Sequence, residues 1–209
     1  SEMCIRDSIW TLPYIVNENV TPGTSPNFFA YYLAPNGDRT RLREAGYTED
    51  EVPAGSHAQY VVPTQAYCDF LAEDARDTRT DVSVRVFEDK FLTEEVQIKR
   101  MVVKFKGSFA NDTRSFDSDV PVYRLAEAYL LKAEVENALG NTDAALQNLN
   151  VVAKRAYGVD NYYTARTQDA IDNAIISEIL KEFVAESNAA RHKGFPFLLK
   201  FNSLQNISA

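Results

Sequence analysis

The stretch Asp119–Tyr157, DVPVYRLAEAYLLKAEVENALGNTDAALQNLNVVAKRAY, decides the fold. It reads as a helix, a Gly-Asn turn and a second helix. Asp119 is placed to cap the first helix, with Pro121 in its opening turn, where a missing N–H costs nothing. Leu125, Ala126, Tyr129, Leu130 and Ala133 recur at helical spacing and make a wide apolar face. Leu131, Val135, Ala138 and Leu139 extend it around the barrel of the helix, so cover on two sides is expected. Gly140-Asn141 breaks the pattern. Asn141 or Thr142 then caps a second helix striped by Ala145, Leu149, Val152 and Ala156, and Gly158 closes it.

The spacing is also that of a tetratricopeptide unit. Ala133, Gly140, Ala145 and Leu149 fall where that repeat takes a small residue, a turn, a small residue and a bulky one. Only one such unit is present, and a lone helix pair cannot bury both of its faces. A third helix is expected from about Asp169 to Ala190, with Ile171, Ile175, Ile179 and Phe183 as its buried ladder and Ile176, Leu180 and Val184 beside it. Upstream, residues 9–65 are punctuated by Pro and Gly and exclude long helices. A short helix is expected over Thr64–Ala75 with Thr64 as cap, strand-like segments over Asp81–Phe87 and Val96–Phe105, and a polar loop over Gly107–Ser118. The fold class is therefore mostly α: a tetratricopeptide-like helix pair plus further helices, a long irregular loop region and a small β hairpin. Residues 1–8 (SEMCIRDS) resemble a translated adapter and are set aside as non-native. Residues 9–209 are read as one partial domain, loop-rich over 9–118 and helical over 119–209, with both ends resembling breaks in a longer protein.

Composition bounds the chemistry. The 209 residues carry a formal charge of −8, with basic residues scattered, which argues against a nucleic-acid partner. No apolar run approaches the roughly 20 residues needed to span a bilayer. The first eight residues have no basic start and no apolar core, so no signal peptide is read there. Cys68 is the one cysteine left once that segment is set aside, so no disulfide framework is expected. His57 and His192 lie in no metal-ligand spacing and beside no nucleophile, and are read as loop or surface residues; no catalytic residue, metal or cofactor is expected. Asp69, Glu73 and Asp77 are spaced to share a helix face near Arg76 and Arg79, which reads as a solvated, ion-paired surface. Arg124 and Glu127 read as an i, i+3 pair, or as contacts to neighbouring loops, at the start of a buried helix.

Four blocks, in order, resemble the SusD/RagB family of outer-membrane nutrient-binding lipoproteins. Val61-Val62-Pro63-Thr64-Gln65, leading to Asp69-Phe70 and Asp74-Ala75-Arg76, is similar to the family's "vPTq…D-x-R" passage, and Val103-Lys104-Phe105 to the strand after it. Val120–Leu130 with Ala133-Glu134 is close to "iPvyRlAEvyLlyAEa". Ile179–Phe183 with Phe197–Phe201 is similar to the terminal passage "iL.E…fDLlRf". The family's Glu-Gly-x-Arg-Trp segment has no counterpart in Glu186–Arg191, and Pro196 stands near an expected Asp, which marks a divergent subgroup. The resemblance implies a portion of a lipid-anchored surface protein that captures glycan without chemistry and passes it to a SusC-like TonB-dependent porin in the outer membrane. The alternative is a tetratricopeptide-like protein-interaction scaffold that binds no carbohydrate.

Aromatic residues crowd the loop-rich region: Trp10, Tyr14, Phe28, Phe29, Tyr31 and Tyr32, then Tyr47, Tyr60 and Tyr67. Sugar rings present apolar C–H faces that pack on flat aromatic rings, while amides and charged groups bind the hydroxyls. Trp10, Tyr31 and Tyr32 are the candidates for a glycan platform, with Asn36 and Arg39, and also Asn17 and Asn27, as polar neighbours. The competing reading is that these rings pack the loops onto the helices.

Overall fold

The structure, a computed structural model, describes residues 8–15, 18, 62–89, 97–104, 108–110, 113–115 and 117–186. Contacts divide the chain into two compact units, Ser1–Trp10 with Pro121–Ala209, and Thr11–Val120. Most of the long loop region, together with His57, His192 and the tail Phe195–Phe201, lies outside the described residues.

In the unit Thr11–Val120, Thr64 caps helix α1 (Gln65–Leu71) by accepting from the Tyr67 N–H at 3.2 Å. The helix stops at Leu71, short of the expected Ala75, and Asp74 and Asp77 turn instead onto Arg76 and Arg79. Asp69, Glu73 and Asp77 therefore share no helix face. The expected solvated surface is also corrected at one position: the Asp77–Arg79 pair, at 2.7 Å, is buried. A single helical turn, α2 (Thr80–Ser83), occupies the start of the expected strand, held by the Thr80 hydroxyl donating to the Leu71 carbonyl at 2.6 Å. Strand β2 (Val84–Asp89) then pairs antiparallel with β3 (Gln97–Val102), in a register from Val84↔Val102 to Asp89↔Gln97. Among the described residues here, Cys68, Leu71, Val84, Met101, Val102 and Val103 are buried. Where a polar loop is expected, β4 (Ser108–Ala110) and β5 (Thr113–Ser115) form a short second hairpin.

The other unit holds the three long helices. Its first element is a ribbon of β1 (Ser8–Leu12) and β6 (Val120–Arg124), not the helix start read into Asp119. Val120, Val122 and Tyr123 are β-branched or aromatic and alternate across the ribbon, which outweighs the capping signal of Asp119. Helix α3 begins only at Leu125 and runs to Ala138; α4 spans Thr142–Tyr157 and α5 Gln168–Glu182.

The α3–α4 turn is a Schellman motif. Gly140 sits at φ 79°, its N–H donates to the Asn137 carbonyl at 3.0 Å, and the Asn141 N–H donates to the Glu136 carbonyl at 2.9 Å. Gly158, at φ 68°, closes α4 as expected. Ala133 and Ala145 are fully buried where α3 and α4 meet, the role their small size suggests. Ile171, Ile175, Ile179 and Phe183 form the α5 ladder and join Ala126, Leu130, Leu149 and Val152 in one core. Within the described part of this chain α3 is covered on one side, and its second apolar side is open. Leu131 is exposed, Val135 is 57% exposed and Leu139 is 70% exposed, because α4 and α5 both pack against the Ala126–Leu130–Ala133 side.

Candidate functional site

Charge is concentrated beneath the surface of the helical unit. Arg124, at the last position of β6, is buried and reaches α5 from the strand-to-helix junction. Its Nε donates to Glu186 at 2.9 Å, one terminal nitrogen to the Glu182 carboxylate at 2.6 Å, and the other to the Glu182 carbonyl at 2.8 Å. The guanidinium also lies 4.8 Å from the centre of the Phe183 ring. Arg155 of α4 shares the same Glu182 oxygen. Arg124 thus ties the start of α3 to the last residue of α5, Glu182, and to Glu186 just beyond it.

One turn earlier on α5, buried Glu178 accepts from the Tyr157 hydroxyl at 3.0 Å and the Tyr163 hydroxyl at 2.8 Å. Burial first, then the Glu178 charge, pushes the Tyr163 hydroxyl well above its ordinary range. Tyr162 stacks flat on Tyr157, with centroids 3.9 Å apart. In the other unit, burial pushes the Cys68 thiol up, with Arg100 pulling the other way. Arg124, Glu182, Glu178 and Tyr157 are buried and hydrogen-bonded to one another's elements, as structural polar networks are. Among the described residues no group of three or more His, Cys, Asp or Glu side chains is placed to hold a metal ion.

Two surface features remain. On the β1–β6 ribbon, Trp10 and Tyr123 are exposed at 55% and 46%. Their rings stack, with centroids 6.1 Å apart and an interplanar angle of 23°. Of the sequence candidates, Trp10 is thus on a strand and open to solvent, whereas Tyr31, Tyr32, Asn36 and Arg39, with Asn17 and Asn27, lie outside the described residues. Tyr123 lies in the stretch whose capping signal predicts a helix start, and it stands instead on β6. The alternation Val120, Val122, Arg124 against Pro121, Tyr123 is the signal that would have found it.

The second feature is a groove of about 430 Å³ between α4 and the segment that follows it. Lys154 pairs with Asp160 at 2.6 Å, and Arg166 pairs with Asp143. Between them the Asn150 amide holds the segment in both directions, accepting from the Tyr163 N–H at 2.8 Å and donating to the Tyr163 carbonyl at 2.9 Å.

With this architecture in place, the SusD family model matches residues 58–190, more than half of the chain. The chain belongs to the SusD family. Solved structures similar to it include a SusD superfamily protein from Bacteroides fragilis, at 25% identity and TM-score 0.66, covering 86% of this chain and 38% of that one. NanU of B. fragilis is 20% identical with TM-score 0.60, covering 88% and 42%. A putative sugar binding protein from Bacteroides vulgatus is 20% identical with TM-score 0.55, covering 86% and 32%. The last two likenesses show the fold alone. No curated protein matches the chain. This SusD-family chain therefore spans well under half the length of the solved proteins it resembles. None of the described helices is long and apolar enough to cross a membrane.

Proposed function

We propose that this chain is a portion of a cell-surface glycan-binding protein that captures oligosaccharide and passes it to a SusC-like TonB-dependent porin. In the intact protein a lipid anchor would hold it at the outer membrane. Membership of the SusD family supports the class, and a relative described as a putative sugar binding protein is consistent with it. The observation that carries the reading is the Trp10–Tyr123 pair. A stacked pair of large rings exposed on a short ribbon is costly to leave in water, and an open ring face suits the flat C–H face of a pyranose ring. Stacking supplies affinity without a reacting group, so the ligand is held and released unchanged. Tyr31, Tyr32, Asn36 and Arg39 belong to the same proposal, as further stacking and hydroxyl-binding groups.

The test is affinity electrophoresis of the chain through gels containing single polysaccharides, beside a Trp10→Ala/Tyr123→Ala variant. Retardation by a polysaccharide, lost in the variant while its helical circular dichroism is unchanged, is the expected result. Equal retardation of both proteins would remove the ribbon from the site. No retardation by any polysaccharide, from a folded sample, would overturn glycan capture by this chain.

A further inference from the structure

The α4 groove has the chemistry of a ligand site, with a lining of mainly polar residues that rests on the core through Leu146 and Tyr163. We propose that it is a second saccharide site, selective for neutral sugars. It rests on the glycan-capture reading only for the choice of saccharide among neutral polyols.

The reasoning starts from charge. Two carboxylates, Asp143 and Asp160, and two cations, Arg166 and Lys154, line the groove and are paired crosswise. Their charges cancel, so neither an anionic nor a cationic ligand gains a net attraction. A neutral ligand loses no ionic hydration on entering. All four side chains remain largely in solvent, so their pairing is weak and each can turn to a hydroxyl.

The walls between the pairs are Gln147, Asn161 and Thr164. Amides and a hydroxyl both donate and accept, as sugar hydroxyls do, whereas a hydrocarbon ligand would strand them. The apolar part of the lining includes Leu146 and Val151, which suit a C–H face. Asp143 and Lys154 stand about 16 Å apart along the helix at about 1.5 Å per residue, room for more than one sugar ring.

Pre-organisation is the second argument. Asn150 fixes the main chain of Tyr163 from both sides, and the Tyr163 hydroxyl is anchored on buried Glu178. The segment opposite α4 is thus held in place before any ligand arrives, and little ordering entropy is left to oppose binding.

The experiment is an NMR titration of the full chain with cellobiose, maltose and mannobiose, and with glucuronate as the charged comparator. The Gln147→Trp variant fills the groove from an exposed helical position, and Thr164→Ala removes one hydroxyl partner without bulk. At least one neutral disaccharide should shift the backbone amides of residues 143–166, with glucuronate shifting them far less. Gln147→Trp should weaken that binding by about tenfold or more, and Thr164→Ala by a smaller factor. The idea fails if no disaccharide perturbs this segment, if Gln147→Trp leaves the shifts intact, or if glucuronate binds as well as the neutral sugars. Trp10→Ala/Tyr123→Ala should leave the groove shifts unchanged, so failure of the ribbon site and failure of the groove are separable.

Discussion

Replacing Arg124 by Met should unfold the helical unit at markedly lower denaturant. Arg124 holds Glu182 and Glu186 at 2.6 and 2.9 Å, and the side chains of all three are almost wholly buried. Met keeps most of the length of the side chain and its contact with Phe183 but takes the Arg124 cation away from both carboxylates. Arg155 still reaches Glu182, so that charge keeps one cation. Breaking a buried pair from one side costs about 3–5 kcal/mol, and the surviving Arg155 contact places the expected loss near the lower end, about 3 kcal/mol. For a protein of this size that corresponds to a fall in melting temperature of about 10 °C. Trp10 is the single tryptophan and lies in the helical unit beside Tyr123, so its fluorescence in a urea titration reports on this unit. Removing Glu182 as well should cost less than the sum of the two single changes, with a coupling of about 1–3 kcal/mol. A loss below about 1 kcal/mol, typical of exposed pairs, would refute the reasoning, as would strict additivity with Glu182→Gln.

Other expectations follow from single positions. Gly140→Ala meets nothing within 4 Å but must hold φ at 79°, so the cost is backbone strain alone, about 1–2 kcal/mol by urea unfolding. Cys68 is buried with its thiol shifted upward, so peptide-resolved mass spectrometry should find it alkylated slowly at pH 8 in the folded chain and rapidly in denaturant. The Tyr163 hydroxyl is raised above its ordinary value of 10.0, so its contribution is complete below pH 10 and is lost as pH rises further, toward the folded-state value. Tyr163→Phe should cost about 1.5 kcal/mol at neutral pH and flatten the alkaline loss of stability seen in urea titrations.

The helices were legible because their signals are local and mutually consistent. Gly140 and Gly158 end helices where left-handed backbone is needed, and the Ile171–Phe183 ladder repeats at helical spacing. Thr64 was readable as a cap for the same reason. The failures come from tertiary competition. Asp119 carries a capping signal, but its carboxylate accepts from the Tyr14 N–H, 105 positions away, which no local pattern announces. The breadth of apolar residues on α3 suggested cover on two sides; periodicity shows which residues could be buried, not how many neighbours arrive. The site was the least legible part. Trp10 stood out by composition, but its partner Tyr123 became visible only once β1 and β6 were paired. The groove had no signal at all, since Gln147 and Thr164 are ordinary surface residues until the chain folds back on α4.

The placement of Arg124 also bears on the order of events during synthesis. Its partners Glu182 and Glu186 are made 58 and 62 residues later, and Tyr157 waits 21 residues for Glu178. The α3–α4 hairpin can form early from local contacts, but until α5 has left the ribosome it holds a guanidinium and a phenol without their intended acceptors. Translation therefore passes through an interval in which the hairpin exists but is neither dry nor neutralised, the window in which a growing chain is most exposed to aggregation. Emergence of the segment up to Glu186 closes that interval in one step, because the same short stretch carries the last of the Ile ladder and both of the awaited carboxylates.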